Sequence, residues 1–227
     1  MSDDLKLVIF DVDGTLVDSQ AAIVAAMTAA FEAVGVLPPE RSVMLSIVGL
    51  SLDRAMPVLA PELDDDLHVT MIEAYKAAYH ANRLTLGAAS MPLYPGAREA
   101  LDALVQIPEV LLGVATGKSR RGLDAMIEAH GLEKYFVTRQ VADDHPSKPH
   151  PSMIFTAMAE TGVDRGRTVM IGDTEFDMAM AAAAGVAGLG VSWGYHPVHM
   201  LAPARAVLGR FDELPGQLDS IWTEAAA

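Results

Sequence analysis

The chain has 227 residues and no cysteine, and its 30 acidic side chains outnumber its 16 basic ones to give a formal charge of −14. That balance, without any Lys/Arg run, excludes nucleic acid and anionic membrane surfaces as main partners. The missing cysteine excludes disulfides and thiolate chemistry. No segment approaches the length of a membrane span. The acidic start Met1-Ser2-Asp3-Asp4 lacks the basic flank of a secretory signal, so the expected compartment is the cytoplasm.

Lys6 to Phe10 is an unbroken apolar run after its first residue, the pattern of a strand covered on both faces. It runs into Asp11 and Asp13, whose spacing in extended chain points both side chains the same way. Two crowded carboxylates repel unless they share a proton or a cation, and a divalent cation with oxygen ligands fits best. Gly14 permits a tight turn, in which Thr15 is expected to hydrogen-bond locally. From Asp18 to about Leu86 the pattern is helical: Ser19 as N-cap and Ala21 to Val34 as helix, a run from Pro38-Pro39 to near Gly49, another from Ser51, and Asp64 to Arg83. No strand is expected in that stretch, which reads as a separate lobe able to cover the carboxylates.

Beyond Pro95-Gly96 strands and helices alternate. A helix is expected at Ala97 to Val105, a strand at Val110 to Ala115 ending in Thr116-Gly117-Lys118, and a helix at Gly122 to Ala129. A short strand from Tyr135 leads to a proline-stiffened loop around Lys148. Then come a helix at Ser152 to Thr161, a strand at Thr168 to Gly172 followed by Asp173 and Asp177, a helix at Ala179 to Gly185 and a last strand at Val186 to Trp193. Such alternation predicts an α/β fold with a mostly parallel sheet and helices on both faces.

Asp-x-Asp-Gly-Thr after the first strand, Thr after the second, Lys after the third and Gly-Asp-x-x-x-Asp after the fourth form an ordered set. In that order the chain resembles the haloacid dehalogenase-like hydrolase superfamily, and the wording from Asp11 to Ser19 resembles its phosphoglycolate phosphatase and β-phosphoglucomutase branch. The resemblance implies a Rossmann-like core at residues 1–17 and 87–227 with an all-helical cap at 18–86. It further implies a Mg²⁺-dependent phosphatase for a small phosphorylated metabolite, a phosphoglycolate-like monoester being favoured.

By the same resemblance Asp11 is the nucleophile, forming an aspartyl-phosphate, and Asp13 is the acid and then the base. Thr116 and Gly117 would hold the phosphoryl oxygens, and Lys148 would supply positive charge to them and to Asp11. The Mg²⁺ would take the Asp11 carboxylate, the main-chain carbonyl of Asp13 and Asp173, with Asp177 orienting Lys148 or a metal-bound water. Gly49 and Arg54 match a substrate-specificity loop in the cap, and Lys118, Arg120 and Arg121 after the second motif could meet an anionic substrate.

Taken singly these residues have ordinary readings. Thr116-Gly117 is also a strand-to-helix turn, Lys148 also a surface lysine, and Asp173 and Asp177 also helix caps. Their common order sets those readings aside. Among 7 histidines, the His196-Pro-Val-His199 pair reads as surface loop, and the 13 methionines read as core filler. A phosphomutase and a non-catalytic phosphate-binding protein on the same fold stay open, as do the substrate and the choice between monomer and homodimer.

Overall fold

Strand β1, Lys6–Phe10, alternates its side chains between two hydrophobic layers. In the computed structural model, which describes residues 5–225, Val8 and Phe10 face one core and Leu7 and Ile9 face the other. The first layer is built with Leu101 of α5 (Ala97–Leu104), Leu123 of α6 (Arg120–His130) and Leu218 of α9 (Leu214–Ala225). Met153 of α7 (Ser152–Thr161) and Met180 of α8 (Glu175–Ala184) belong to the second.

The sheet is six-stranded and parallel throughout, in the order β3-β2-β1-β4-β5-β6. Its other strands are β2 (Val110–Thr116), β3 (Phe136–Val141), β4 (Thr168–Gly172), β5 (Ala187–Val191) and β6 (Ala206–Leu208). With β1 between β2 and β4, the chain leaves three neighbouring strands at Asp11, Thr116 and Asp173. Open α/β sheets bind ligands at such carboxyl ends.

Between β1 and α5 the chain makes four α-helices, α1 (Gln20–Ala33), α2 (Arg41–Leu45), α3 (Leu52–Leu59) and α4 (Asp65–Leu86). They bury a cluster of their own around Met27, Phe31, Met44, Met56 and Met71. Asp64 caps α4 by accepting from the Leu67 amide at 2.9 Å. The lobe joins the core through two adjacent passes of chain, tied where the Tyr94 amide donates to Leu16 O and the Asp18 amide to Pro92 O.

Several expected boundaries move. The second cap helix is a single five-residue turn, and the chain continues to Gly49 as turns. Helix α8 starts at Glu175 rather than Ala179, because Thr174 and Asp177 form a reciprocal capping box that nucleates it early. The strand expected at Val186 to Trp193 stops at Val191 and is not the last. The three-residue β6 and α9 follow it, β6 being too short to leave a periodic signal. Residues 1–4, on which the leader expectation rests, and residues 226–227 of the alanine-rich end lie outside the described residues. No helix among the described residues is long and apolar enough to cross a membrane.

Phe31 is 2% exposed at the centre of the cap cluster. Phe31→Ala is expected to destabilise the protein by about 3–5 kcal/mol in chemical denaturation, the cost of deleting a buried ring. A loss below about 1 kcal/mol would contradict this packing.

Candidate active site

Asp11 follows β1 directly, its amide donating to Ile171 O at 2.9 Å, so the sheet's own hydrogen bonding fixes its position. Its side chain is buried, as are those of Lys148, Asp173 and Asp177. Lys148 arrives on the loop between β3 and α7. Its ammonium donates to Asp177 Oδ1 at 2.6 Å and lies 2.9 Å from Asp11 Oδ1. The latter contact is a close ion pair, and no other group among the described residues donates to Asp11 Oδ1. Asp177 Oδ2 accepts from the Thr174 amide and hydroxyl at 3.1 and 2.7 Å. Asp173 accepts from Thr15 Oγ1 at 2.9 Å and from the Tyr195 amide at 2.8 Å. The Thr15 amide bonds within the turn to Val12 O at 3.3 Å, while its hydroxyl reaches across the site. Gly14 makes room for this: its φ is +84°, and a Cβ there would stand 2.2 Å from Asp173 Oδ2.

Oxygens of Asp11, Asp173 and Asp177 lie within 4.8 Å of one another. One ammonium cannot balance three buried carboxylates. Burial raises the Asp11 pKa from 3.8 to about 7, with Lys148 pulling it down and Asp177 pushing it further up. Burial, then Asp177 and Asp11, hold the Asp173 carboxyl well above the usual range. Surplus negative charge on closely spaced hard oxygens suits a divalent cation. The chemistry of the donors therefore fits the expected ion, with Asp177 joining Asp11 and Asp173 in the cluster.

The Asp13 side chain turns away from that cluster. It receives Lys118 Nζ at 2.7 and 2.9 Å and a short hydrogen bond from Ser19 Oγ. Ser19 stands at the N-cap position of α1, but its hydroxyl makes no cap bond. It also lies 2.9 Å from the Tyr195 hydroxyl, which accepts the Ser19 amide at 3.1 Å. Lys118 is buried against the cap, donating to Tyr79 OH at 2.9 Å with its ammonium 4.9 Å from the ring centre.

Thr116 is fully buried at the end of β2 and accepts the Lys118 amide at 3.2 Å. Gly117 lies directly under the cap loop: a Cβ there would stand 2.8 Å from Gly49 O and 2.9 Å from Leu50 O. Two further bonds hold this loop to the core. The Ser51 amide donates to Ser147 Oγ at 2.9 Å, and His196 Nε2 lies 2.9 Å from Ser46 O while its Nδ1 accepts the Glu175 amide. His196 is thus a buried strut between lobes, where the sequence suggested a surface loop.

Between cap and core lies a cavity of about 350 Å³ that takes in Asp11, Asp13, Gly49, Thr116, Gly117 and Lys118. Arg54 is outside it. Helix α3 turns Leu52 and Ala55 toward the cavity and Arg54 to solvent. Tyr79, Ser19, Thr15 and Tyr195 were not singled out as site residues by sequence reasoning. Thr15 and Ser19 belong to the first motif, but nothing in it shows which groups they bond, and the partners of Tyr79 and Tyr195 are far away in the chain. A more open depression of about 590 Å³ along β3, against Arg120, Gln140 and Glu160, includes none of the site residues above.

The family described as haloacid dehalogenase-like hydrolase matches residues 8–191. The chain is 37% identical over 215 residues to the probable phosphatase IndB of Dickeya dadantii, covering 92% of each chain. It is 32% identical over 200 residues to a phosphoglycolate phosphatase of Agrobacterium fabrum, covering 86% of this chain and 84% of that protein. A β-phosphoglucomutase from Clostridium difficile superposes with a TM-score of 0.82 over 97% of this chain and 98% of that one, and at 18% identity it shares the fold. With that match spanning most of its length and the acidic cluster at the carboxyl ends of its central strands, the chain belongs to the haloacid dehalogenase-like hydrolase family.

Proposed function

We propose that this protein is a Mg²⁺-dependent phosphatase that hydrolyses a small phosphorylated metabolite through an aspartyl-phosphate on Asp11, phosphoglycolate-like monoesters being favoured. The observation that carries the reading is Asp11 itself. It is a buried carboxylate paired with the Lys148 ammonium, and it lines a cavity that the cap covers.

In the first step an Asp11 oxygen attacks phosphorus, the bond from phosphorus to the ester oxygen breaks, and Asp13 gives that oxygen a proton. The Thr116 hydroxyl and Gly117 amide hold the transferring oxygens, and Lys148 offsets their charge. In the second step Asp13 takes a proton from water as the water attacks phosphorus. The bond from phosphorus to Asp11 then breaks and inorganic phosphate leaves. Asp11, Asp173, Asp177 and the main-chain carbonyl of Asp13 are the groups that would hold Mg²⁺, which when bound neutralises charge on the phosphoryl oxygens. Lys118 and Ser19 fix the ionised Asp13 at the cavity wall, the form that takes the proton from water in the second step, and Asp13 enters the first step protonated. The cap loop over Gly117 limits water during the first step.

A phosphomutase is the second reading, favoured by the same closure of the cap loop over Gly117, because a mutase must keep water from its phosphoenzyme. Phosphate release from 2-phosphoglycolate and sugar monophosphates with Mg²⁺ supports the phosphatase. Phosphoryl return to a sugar without release supports the mutase.

Asp11→Asn is expected to lower turnover at least about 10⁴-fold, on the scale of removing a nucleophile. The variant is expected to keep its melting temperature within a few degrees, since the amide fits the same space. Activity above about one per cent of the parent would contradict the nucleophile assignment.

Because folding raises the Asp11 pKa from 3.8 to about 7, the folded chain holds a proton there that the unfolded chain releases. Metal-free protein is therefore expected to lose stability between about pH 4 and pH 7, and the loss is complete above that window. Mg²⁺ answers the same charge, so its gain in melting temperature over chelator should be larger at pH 8 than at pH 5.5. Equal gains at both would contradict a metal site built on Asp11.

A further inference from the structure

The cavity has acidic groups on its floor and a cationic rim. At that rim Arg83 of α4, in the cap, meets Arg121 of α6, in the core, across His80. Arg121 Nη2 lies 2.7 Å from His80 Nε2, Arg83 Nη2 lies 3.0 Å from His80 Nδ1, and Arg83 Nη1 donates to Arg121 O at 3.4 Å. A neutral imidazole has one accepting nitrogen and one N–H, so it can satisfy only one of the two guanidiniums. Neither arginine forms an ion pair with a carboxylate among the described residues. In a chain of net charge −14, two arginines held together without an acid are an unmatched pair. Their spare N–H donors suit a planar or tetrahedral oxyanion.

The cavity also exceeds the needs of the phosphoryl group. Besides Asp11 and Thr116 its walls include Leu52 and Tyr75 and the three residues of this rim. We infer that the substrate carries a second anionic group, a carboxylate or a second phosphoryl, remote from the one transferred, and that Arg83, Arg121 and His80 receive it. This rests on the phosphatase reading of the same cavity. Because the two arginines come from opposite lobes, an anion between them ties cap to core. Substrates with a second charge close the site, and singly charged esters leave it looser.

The test is calorimetric, on the whole protein in excess Mg²⁺, with non-hydrolysable probes of similar length. Propylphosphonate has one anionic end, 3-phosphonopropionate adds a carboxylate, and propane-1,3-diphosphonate adds a phosphonate. One or both of the two-ended probes should bind at least about tenfold tighter than propylphosphonate, and which of them does so names the second group. Arg83→Gln and Arg121→Gln should each cut that preference by about tenfold or more, the usual loss for one charged hydrogen bond, with a smaller effect on propylphosphonate. Equal binding of all three probes, binding of none, or a preference that survives in the double variant would overturn the inference. Phosphate release from 4-nitrophenyl phosphate, run in parallel, reports whether the phosphatase reading stands by itself.

Discussion

Three carboxylates crowded against one ammonium are the constraint on which the rest of this protein depends. Asp11, Asp173 and Asp177 are each at most 1% exposed, and Lys148 is 2% exposed. Buried charge of this kind destabilises a fold unless it is paired and hydrogen-bonded. Much of the surrounding structure does that pairing. Thr15 and the Tyr195 amide serve Asp173, and Thr174 serves Asp177 twice while starting α8. Even small residues are recruited, since a Cβ at Gly194 would stand 2.1 Å from Asp173 Cβ. The charge that stays uncompensated is what suits the site to a cation.

A parallel sheet supplies this arrangement at low local cost. Neighbouring strands that end at one edge deliver Asp11, Thr116 and Asp173 side by side from segments far apart in sequence. The cap adds what the sheet lacks, a roof and a rim. Its loop at Gly49 and Leu50 sits directly on Gly117, and Tyr79 meets Lys118, which in turn holds Asp13. Cap position and the state of Asp13 are therefore physically joined through one lysine.

The strands of the central sheet were legible because β1, β2 and β4 are covered on both faces and read as continuous apolar runs. The polar residues at their ends stood out against those runs, which is why Asp11, Thr116 and Asp173 could be named from sequence. Lys148 and Asp177 were named from their place in the ordered motifs. What could not be read depends on contacts outside regular local patterns. Ser19 has the local signature of a helix cap and spends its hydroxyl on Asp13 instead. His196 sits in a proline-flanked loop yet is buried as a strut to Ser46. Arg54 follows the expected specificity loop, but the helical turn carries it to solvent, and the cationic rim pairs Arg121 of α6, which the sequence did mark, with Arg83 of α4, which it did not.

The central claim is that Asp11 carries the phosphoryl group in covalent form. Borohydride reduction of enzyme quenched during turnover, followed by peptide mass spectrometry, tests it most directly, because an acyl phosphate is reduced where a free carboxylate is not. The account predicts homoserine at position 11, dependent on both substrate and Mg²⁺. An unmodified Asp11 in enzyme that is releasing phosphate would contradict it.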